Sequence, residues 1–507
     1  MHKKELITAI AQKTEMTQTD VEKVLKAFME VTVAEVAQKG KVQLIGFGTF
    51  EARERPARTG INPQNGKPIA IAADVFPGFK VGKTFKDAVS LNTQKKAAKK
   101  AKKMKSWADV FVAYFQRGIK RNIVPRLGIE IEHFIVSHDT KTAVPYDGKN
   151  GVREILCRLM AHYPNATVLM EEDLLLGFLT EDFAVTLEPA GQIEISIVPT
   201  ESIACIADIY ADFCRILQKE LSPYNYDLMT VGCQPVSCVD NLPLIPKMRY
   251  RLLDEHFAKT GDGGREMMRG TASLQVSVDY FSEDDFRRKI QAAYYYSPIF
   301  KILTDNSPTF EGKLLTGFLK RTDIWRRVDK VRVGIVPRIF KPDFNFGDYA
   351  VFIGSIPPIF LPTEAGYRFT GDKTTAELYA DKMQDEKEIE HILSMAFPDV
   401  RLKTYLELRM ADSVPMNLML AYCALLKGLL YSEEGVVFAE DSIRQSKLME
   451  DDILAAEDNL MAKGFEAEVY GQPVRRIAAN MINIAEGNLP HEERNYLQIF
   501  NEMIFRR

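Results

Sequence analysis

Between Lys95 and Ser106 the chain reads KKAAKKAKKMKS, seven lysines and no acid. A run like this at a terminus would be a basic tail. A fifth of the way into the chain, it must join two things. The charge distribution agrees. Residues 1–106 carry 21 Lys and Arg against 10 Asp and Glu, a net +11, while the remainder carries 45 against 59, a net −14, within a formal total of −3. A basic module is therefore tethered to an acidic one. At 507 residues the chain also exceeds the size at which single cores stop growing. The divisions fall at 1–90, 91–106 and 107–507. The run itself permits a helix, having Ala and Lys but no Pro or Gly. It reads equally as a solvated spacer or as an extension of a nucleic-acid footprint, each phosphate contact adding about 0.9 to the salt slope.

With 46 % hydrophobic and 27 % charged residues the composition is that of ordinary globular protein. No apolar run reaches the roughly 18 residues of a membrane span. The opening MHKKELITAIAQKTEM lacks the apolar stretch of a signal peptide. The expectation is a cytoplasmic protein with no membrane partner. Its six cysteines show no CxxC spacing and read as reduced thiols.

In the basic module, TQTDVEKVLKAF offers Thr17 as a helix cap, with Asp20 behind it and Val21, Val24, Leu25 and Phe28 at 3/4 spacing. Gly40 is expected to end that helix. KVQLIGFGTFEARER alternates as a strand with a bend at Gly46 and Gly48, and Asn65–Gly66 supplies a turn between two extended arms. A short final helix is expected before residue 90. Arg53, Arg55, Arg58 and Lys67 cluster on and around the arms, a concentration of like charge that calls for an anionic partner such as phosphate. GFKVGKT, from Gly78, resembles a phosphate-binding loop, but three residues separate its glycines where that loop needs four.

Taken together, GFGTFEARERPARTGINPQNGKPIAI and FPGFKVGKTFKDAV resemble the HU family of bacterial DNA-bending proteins across residues 1–90. The resemblance implies an intertwined homodimer whose β-arms enter the minor groove of double-stranded DNA, and hence association with the nucleoid. It implies that Pro63 wedges a base step while Arg53, Arg55, Arg58, Lys67, Lys80, Lys83 and Lys86 hold phosphates. Alone, Pro63 reads equally as a turn proline, and the three later lysines as a solvated face.

The acidic module alternates strands and helices. In RLGIEIEHFIV, Glu130 and Glu132 lie two apart in a β-type run, so both point one way with Ile129 and Ile131 opposite; His133 then faces away from the pair. AVTLEPAGQIEISIVP adds Gln192 and Glu194 on one face, and Glu188, whose direction the Pro-Ala-Gly interruption leaves open. Carboxylates that converge repel unless a cation sits between them, and such hard oxygens suit Mg²⁺, with Mn²⁺ as an alternative. On the spacing alone, an exposed strand with alternating acids is the commoner reading. YLELRMAD sets Glu407 and Arg409 on one side of a further extended segment, as substrate ligands or as a buried ion pair. Seven histidines without an HxxxH pair argue against a zinc-type site.

GIEIE, VLMEEDLLLGFLTEDFAVTLEPAGQIEIS, LPLIPKMRY, MMRGTASLQVSVDY, NSPTFEGK, IWRRVDKVRVGIVPRIF and PDVRLKTYLELRMADSVP resemble, in order, the glutamate–cysteine ligase family of the plant and proteobacterial type. The fold class implied is α+β: a small HU-like helical domain with a β-arm, linked to a ligase domain with an antiparallel sheet funnel and surrounding helices. The implied reaction consumes ATP, phosphorylates the glutamate γ-carboxylate and lets the cysteine amine displace phosphate, giving γ-glutamylcysteine. Under the resemblance, Glu130, Glu132, Glu188 and Glu194 hold Mg²⁺. Arg332 and Arg249 grip the migrating phosphoryl group and the amino-acid carboxylate, as guanidinium forks do. Gln275, Tyr250, Trp325, Glu407 and Arg409 line the substrate pocket. Two departures, Ser277 where the family usually has Asn and the shifted Arg269, leave open a γ-glutamyl ligase with another amine acceptor. A DNA-bending protein whose ligase-like domain only senses metabolites is the other alternative.

Overall fold

The computed structural model describes residues 3–14, 16–44, 47–55, 58–61, 68–71, 74–82, 106–121, 123–171, 174–363, 366–380 and 385–505, with backbone alone for those between 54 and 74. They fall into two compact units, Met1–Lys105 and Ser106–Arg507.

The first unit opens with helices α1 (Lys3–Thr14) and α2 (Gln18–Ala37). Thr17 caps α2 as its sequence suggests, its hydroxyl accepting from the Asp20 amide at 3.2 Å. The helix does not end on Gly40: the residue in left-handed conformation is Lys39, φ 62°. Gly40 is needed for close approach instead, since a Cβ there would lie 2.9 Å from the Glu35 backbone carbonyl oxygen. Strands β1 (Lys41–Leu44), β2 (Gly48–Arg55) and β5 (Asp74–Val81) form an antiparallel sheet with β2 central. β3 (Arg58–Ile61) and β4 (Pro68–Ile71) pair as a separate ribbon. Ile7, Ala11 and Val21 form a small core, helped by Ile10 and Leu25. The predicted apolar stripe is only partly buried: Val21 is buried, but Val24 is 60 % exposed and Phe28 is exposed too, and beyond the stripe Val31 and Val33 are 67 % and 68 % exposed. The Asn65–Gly66 turn, the expected final helix and the lysine run lie outside the described residues, apart from Ser106.

The second unit is built on a nine-stranded sheet. Its strands are β6 (Leu127–Ser137), β7 (Thr167–Glu171), β8 (Leu174–Leu179), β9 (Phe183–Leu187), β10 (Ile193–Thr200), β11 (Tyr226–Met229), β12 (Ser273–Val278), β13 (Val400–Leu402) and β14 (Leu406–Asp412). The order across the sheet is β13-β14-β12-β6-β10-β9-β8-β7, every pair antiparallel, and β11 pairs with the far end of β6. Along β6 the period of two separates the faces. Ile129, Ile131 and His133 turn to one side, all buried. There His133 Nε2 meets the Tyr210 hydroxyl at 2.7 Å, on helix α3 (Ile203–Leu221). Helices α5 (Glu283–Leu303) and α7 (Met416–Leu430) are buried nearly all round, as core helices are. Among the described residues no helix is long and apolar enough to cross a membrane. All six cysteines are free.

Candidate active site on the carboxylate face of the sheet

The face of β6 opposite His133 carries Glu130 and Glu132, and register brings the other acids beside them. Glu194 of β10 lies directly across from Glu132, and Glu130 is flanked by Ser196 and by Gln275 of β12. Glu188, just past the end of β9, completes the group, and all four carboxylates line one open cavity. Its direction, ambiguous in the sequence, is settled by the tight turn over Glu188–Gly191, closed by two backbone hydrogen bonds of 2.9 Å.

Like charges directly opposite in a sheet repel, and these are held by local donors. Ser273 binds Glu132 through its amide and its hydroxyl, both at 2.8 Å. The Thr186 hydroxyl donates to Glu194 at 2.8 Å, and the Tyr250 hydroxyl to Glu188 at 3.3 Å. The donors do not cancel the repulsion. Burial, with the Glu188 charge next, pushes the Glu132 carboxyl up to about 7. Burial together with Glu130, Glu188 and Glu132 raises Glu194 well above the carboxylate range. Burial and the Glu407 charge raise Glu130. A face that crowds carboxylates so closely that their protons are held more tightly than usual is chemically suited to a hard divalent cation. Among the described residues no three such side chains are drawn together as a ready-made metal cage, so a cation here would complete its shell with water and ligand oxygens.

Four arginines share the cavity: Arg249, Arg321, Arg401 and Arg409. Arg249, next to Tyr250 on helix α4 (Met248–Thr260), donates to the Ser394 carbonyl at 2.9 Å. Arg321 and Trp325 occupy one side of helix α6 (Lys320–Arg326). Arg321 is 5 % exposed and bonds only backbone carbonyls of Arg409 and Met410, at 3.3–3.4 Å, leaving its Nε without an acceptor. Arg401 and Arg409 converge on Glu407, with Nε–Oε2 and Nη1–Oε2 distances of 2.7 and 2.9 Å, and Lys403 joins at 2.8 Å. Burial alone would raise the Glu407 carboxyl, but these three cations hold it well below the usual range. Arg409 also donates to Gln275.

Of the residues singled out from the sequence, Glu130, Glu132, Glu188, Glu194, Arg249, Tyr250, Gln275, Trp325 and Arg409 meet in this cavity. Two do not. Arg332 is buried elsewhere, its Nε on Asp329 at 2.6 Å and its Nη1 on the carbonyls of Pro357 and Met395 at 3.0 and 3.1 Å. Its Nε and Nη1 are engaged in holding these neighbours, the pattern of a structural arginine. Glu407 is fully buried behind Arg401 and Arg409, so it orients them and does not itself line the cavity. Sequence reasoning missed Arg321 and Arg401. The first carried a signal, standing four before Trp325 in a helix and so on the same side. The second is visible only once β13 pairs with β14 and sets Arg401 across from Glu407. Ser277 lines a neighbouring recess with Lys120, Arg126 and Asp279, and Arg269 is tied to Asp254 at 2.8 Å.

In the first unit Arg53 is exposed and 3.4 Å from Glu51, and Lys80 is exposed on β5. The side chains of Arg55, Arg58, Pro63, Lys67, Lys83 and Lys86 lie outside the described residues.

A crowded acidic face opposed by guanidinium groups is the equipment of an enzyme that handles phosphoryl and carboxylate groups together. Residues 126–494 match the family model described as glutamate-cysteine ligase family 2, and the chain belongs to that family. Residues 1–90 match the model described as bacterial DNA-binding protein. The chloroplastic glutamate–cysteine ligase of Arabidopsis thaliana is 28 % identical over 405 residues, 78 % of this chain and 76 % of the plant one. A solved glutamate–cysteine ligase from Francisella tularensis in complex with AMP aligns over 76 % of this chain and 82 % of its own, at 11 % identity and TM-score 0.48. The HU protein of Anabaena, solved with DNA, is 42 % identical over 97 % of its length and 18 % of this chain, at TM-score 0.17.

Proposed function

We propose that the second unit joins the γ-carboxylate of glutamate to the amine of cysteine at the expense of ATP, and that the first unit holds double-stranded DNA. The observation that carries the enzyme reading is the single cavity in which Glu130, Glu132, Glu188 and Glu194 face Arg249, Arg321, Arg401 and Arg409. The γ-phosphoryl group of ATP passes to the glutamate carboxylate, giving γ-glutamyl phosphate and ADP. The amine then forms the C–N bond as the C–O bond to phosphate breaks, and phosphate leaves with that electron pair and the amine's proton. The arginines supply fixed positive charge for the transferring phosphoryl group and the amino-acid carboxylates, and they need no reorganisation to do so. Glu130, Glu132, Glu188 and Glu194 would hold magnesium, which when bound neutralises charge on the nucleotide phosphates; manganese fits the same oxygens. Gln275 steadies Arg409, and Tyr250 steadies Glu188.

The first unit exposes Val24, Val31 and Val33, a surface that a second copy would cover. We take the protein to be a homodimer through it, cytoplasmic and nucleoid-associated. Arg53 and Lys80, with Arg55, Arg58, Lys67, Lys83 and Lys86, are its phosphate contacts, and Pro63 its wedge. The pure sensor reading is disfavoured because Glu130, Glu132, Glu188 and Glu194 all line the cavity. Purified protein is expected to release phosphate from ATP only when glutamate and an amine acceptor are both present. Glu130→Gln or Glu194→Gln is expected to abolish that release and leave DNA binding intact. Release that persists in both variants would refute the carboxylate assignment.

A further inference from the structure

Glu407 aims Arg401 from its guanidinium end, and the Ala396 carbonyl adds a bond to Nη1 at 3.2 Å. The backbone end of Arg401 is held differently. β13 is three residues long and lies at the margin of the sheet, with β14 on one side and no strand on the other among the described residues. A buried strand edge needs partners for its amides and carbonyls, and here tyrosine hydroxyls supply them. The Leu402 amide donates to the Tyr349 hydroxyl at 2.9 Å, and the Val400 amide to the Tyr294 hydroxyl at 3.4 Å. These two amides flank Arg401. One residue further on, the Lys403 carbonyl accepts from the Tyr280 hydroxyl at 3.1 Å, a proton shared with the Phe115 carbonyl at 2.6 Å. All three tyrosines are fully buried. They come from separate places: Tyr349 from the helix Phe346–Ser355, Tyr294 from α5, and Tyr280 from the link between β12 and α5.

We propose that Tyr349, Tyr280 and Tyr294 are positioning residues for Arg401, their hydroxyls fixing the outer edge of β13 so that the guanidinium enters the carboxylate cavity at one set place. The proposal rests on the ligation reading above and deepens it. None of the three is among the residues that line the cavity, so they act through the strand and not on substrate. A guanidinium fork pairs with planar carboxylate or phosphate oxygens only when both of its N–H groups are aligned, and a small displacement of a positioning group is costly to catalysis. Glu407 sets the direction of the fork. It does not set the place of the Cα from which the fork hangs, and a three-residue strand paired on one side has little else to set it.

The test uses the full chain with ATP, Mg²⁺, glutamate and cysteine, and measures phosphate release. Arg401→Lys keeps the charge and loses the fork; it is expected to raise KM about tenfold for one anionic substrate, ATP or glutamate. Tyr349→Phe and Tyr280→Phe each remove a hydroxyl and keep the ring. Each is expected to raise that same KM about fivefold, the size of one hydrogen bond. Combined with Arg401→Lys, either is expected to move it less than about twofold, since the fork it positions is gone. A purely structural role would lower the urea midpoint and the active fraction, and hence kcat, with KM unmoved. That outcome overturns the proposal, as do KM changes that multiply independently in the double variants, or wild-type kinetics in Arg401→Lys. The two tyrosines reach β13 from different elements, so if one Phe variant fails to fold the other carries the test; if both fail, the hydroxyls are structural and the proposal falls. A wild-type chain that releases no phosphate sinks the ligation reading itself.

Discussion

Arg332, buried, and Arg409, half-buried, both lie within reach of a carboxylate, and their neighbours assign them different work. Arg332 donates to Asp329 and two backbone carbonyls and is not among the residues that line the cavity. Removing one partner of such a buried pair typically costs about 3–5 kcal/mol. Arg332→Ala should therefore lower the urea midpoint strongly, while KM for ATP and glutamate in the folded fraction stays near wild type; a large KM change at unaltered stability would return Arg332 to the site. Asp305 offers a test by pH. Burial, with the Asp412 charge next, pushes its carboxyl from 3.8 up to about 7. The folded state thus binds this proton more tightly than the unfolded chain. The associated stability is complete at acid pH, declines as pH rises above about 4 and is gone once pH has passed about 7. Asp305→Asn, which still offers an oxygen to the Leu319 amide held at 3.1 Å, should flatten that decline. Urea midpoints measured at pH 5 and pH 8 for both proteins give the comparison, and equal slopes would refute it.

At the scale of elements, β14 does the most. Its residues Arg409 and Met410 together oppose the single residue Gln275 of β12, because the register shifts between Leu274 and Val276. The bulge breaks the two-residue alternation. It lets two consecutive side chains, Arg409 and Met410, line a recess beside the carboxylate cavity, and Arg409 reaches the cavity as well. Across the other edge of β14, Glu407 pairs with Arg401 of β13. Glu407→Gln would leave buried Arg401 and the half-buried Lys403 and Arg409 without their counter-ion. The expected result is a loss of about 3 kcal/mol or more in stability and a fall in kcat/KM of tenfold or more, partly restored by Glu407→Asp. Unchanged kinetics in the Gln variant would mean that Glu407 does not position the arginines. The EIE and LEL patterns made both strands readable, since period-two alternation is local. The bulge was not readable, because it depends on which strand lies alongside.

At the scale of the whole molecule, the charge division makes a separable prediction. DNA binding by the full chain should weaken steeply between about 50 and 200 mM salt, as counterion release requires, whereas glutamate-dependent phosphate release by residues 106–507 alone should persist. Sedimentation should find the full chain dimeric and the 106–507 piece monomeric. A dimer of the shortened chain would place the contact outside the first unit.

The amino-acid sequence by itself determined the two-part organisation, because charge segregation and a lysine run are properties of composition. It also determined which carboxylates share a face, since β-alternation is set by the backbone within one strand. The assembly of the cavity was decided only in three dimensions. Arg321, Arg401 and Gln275 reach it from a helix and two strands far apart in the chain, and Arg332, set in a stretch just as suggestive, is claimed by Asp329. The physical reason is that a buried guanidinium takes whichever acceptors surround it, and tertiary packing chooses those.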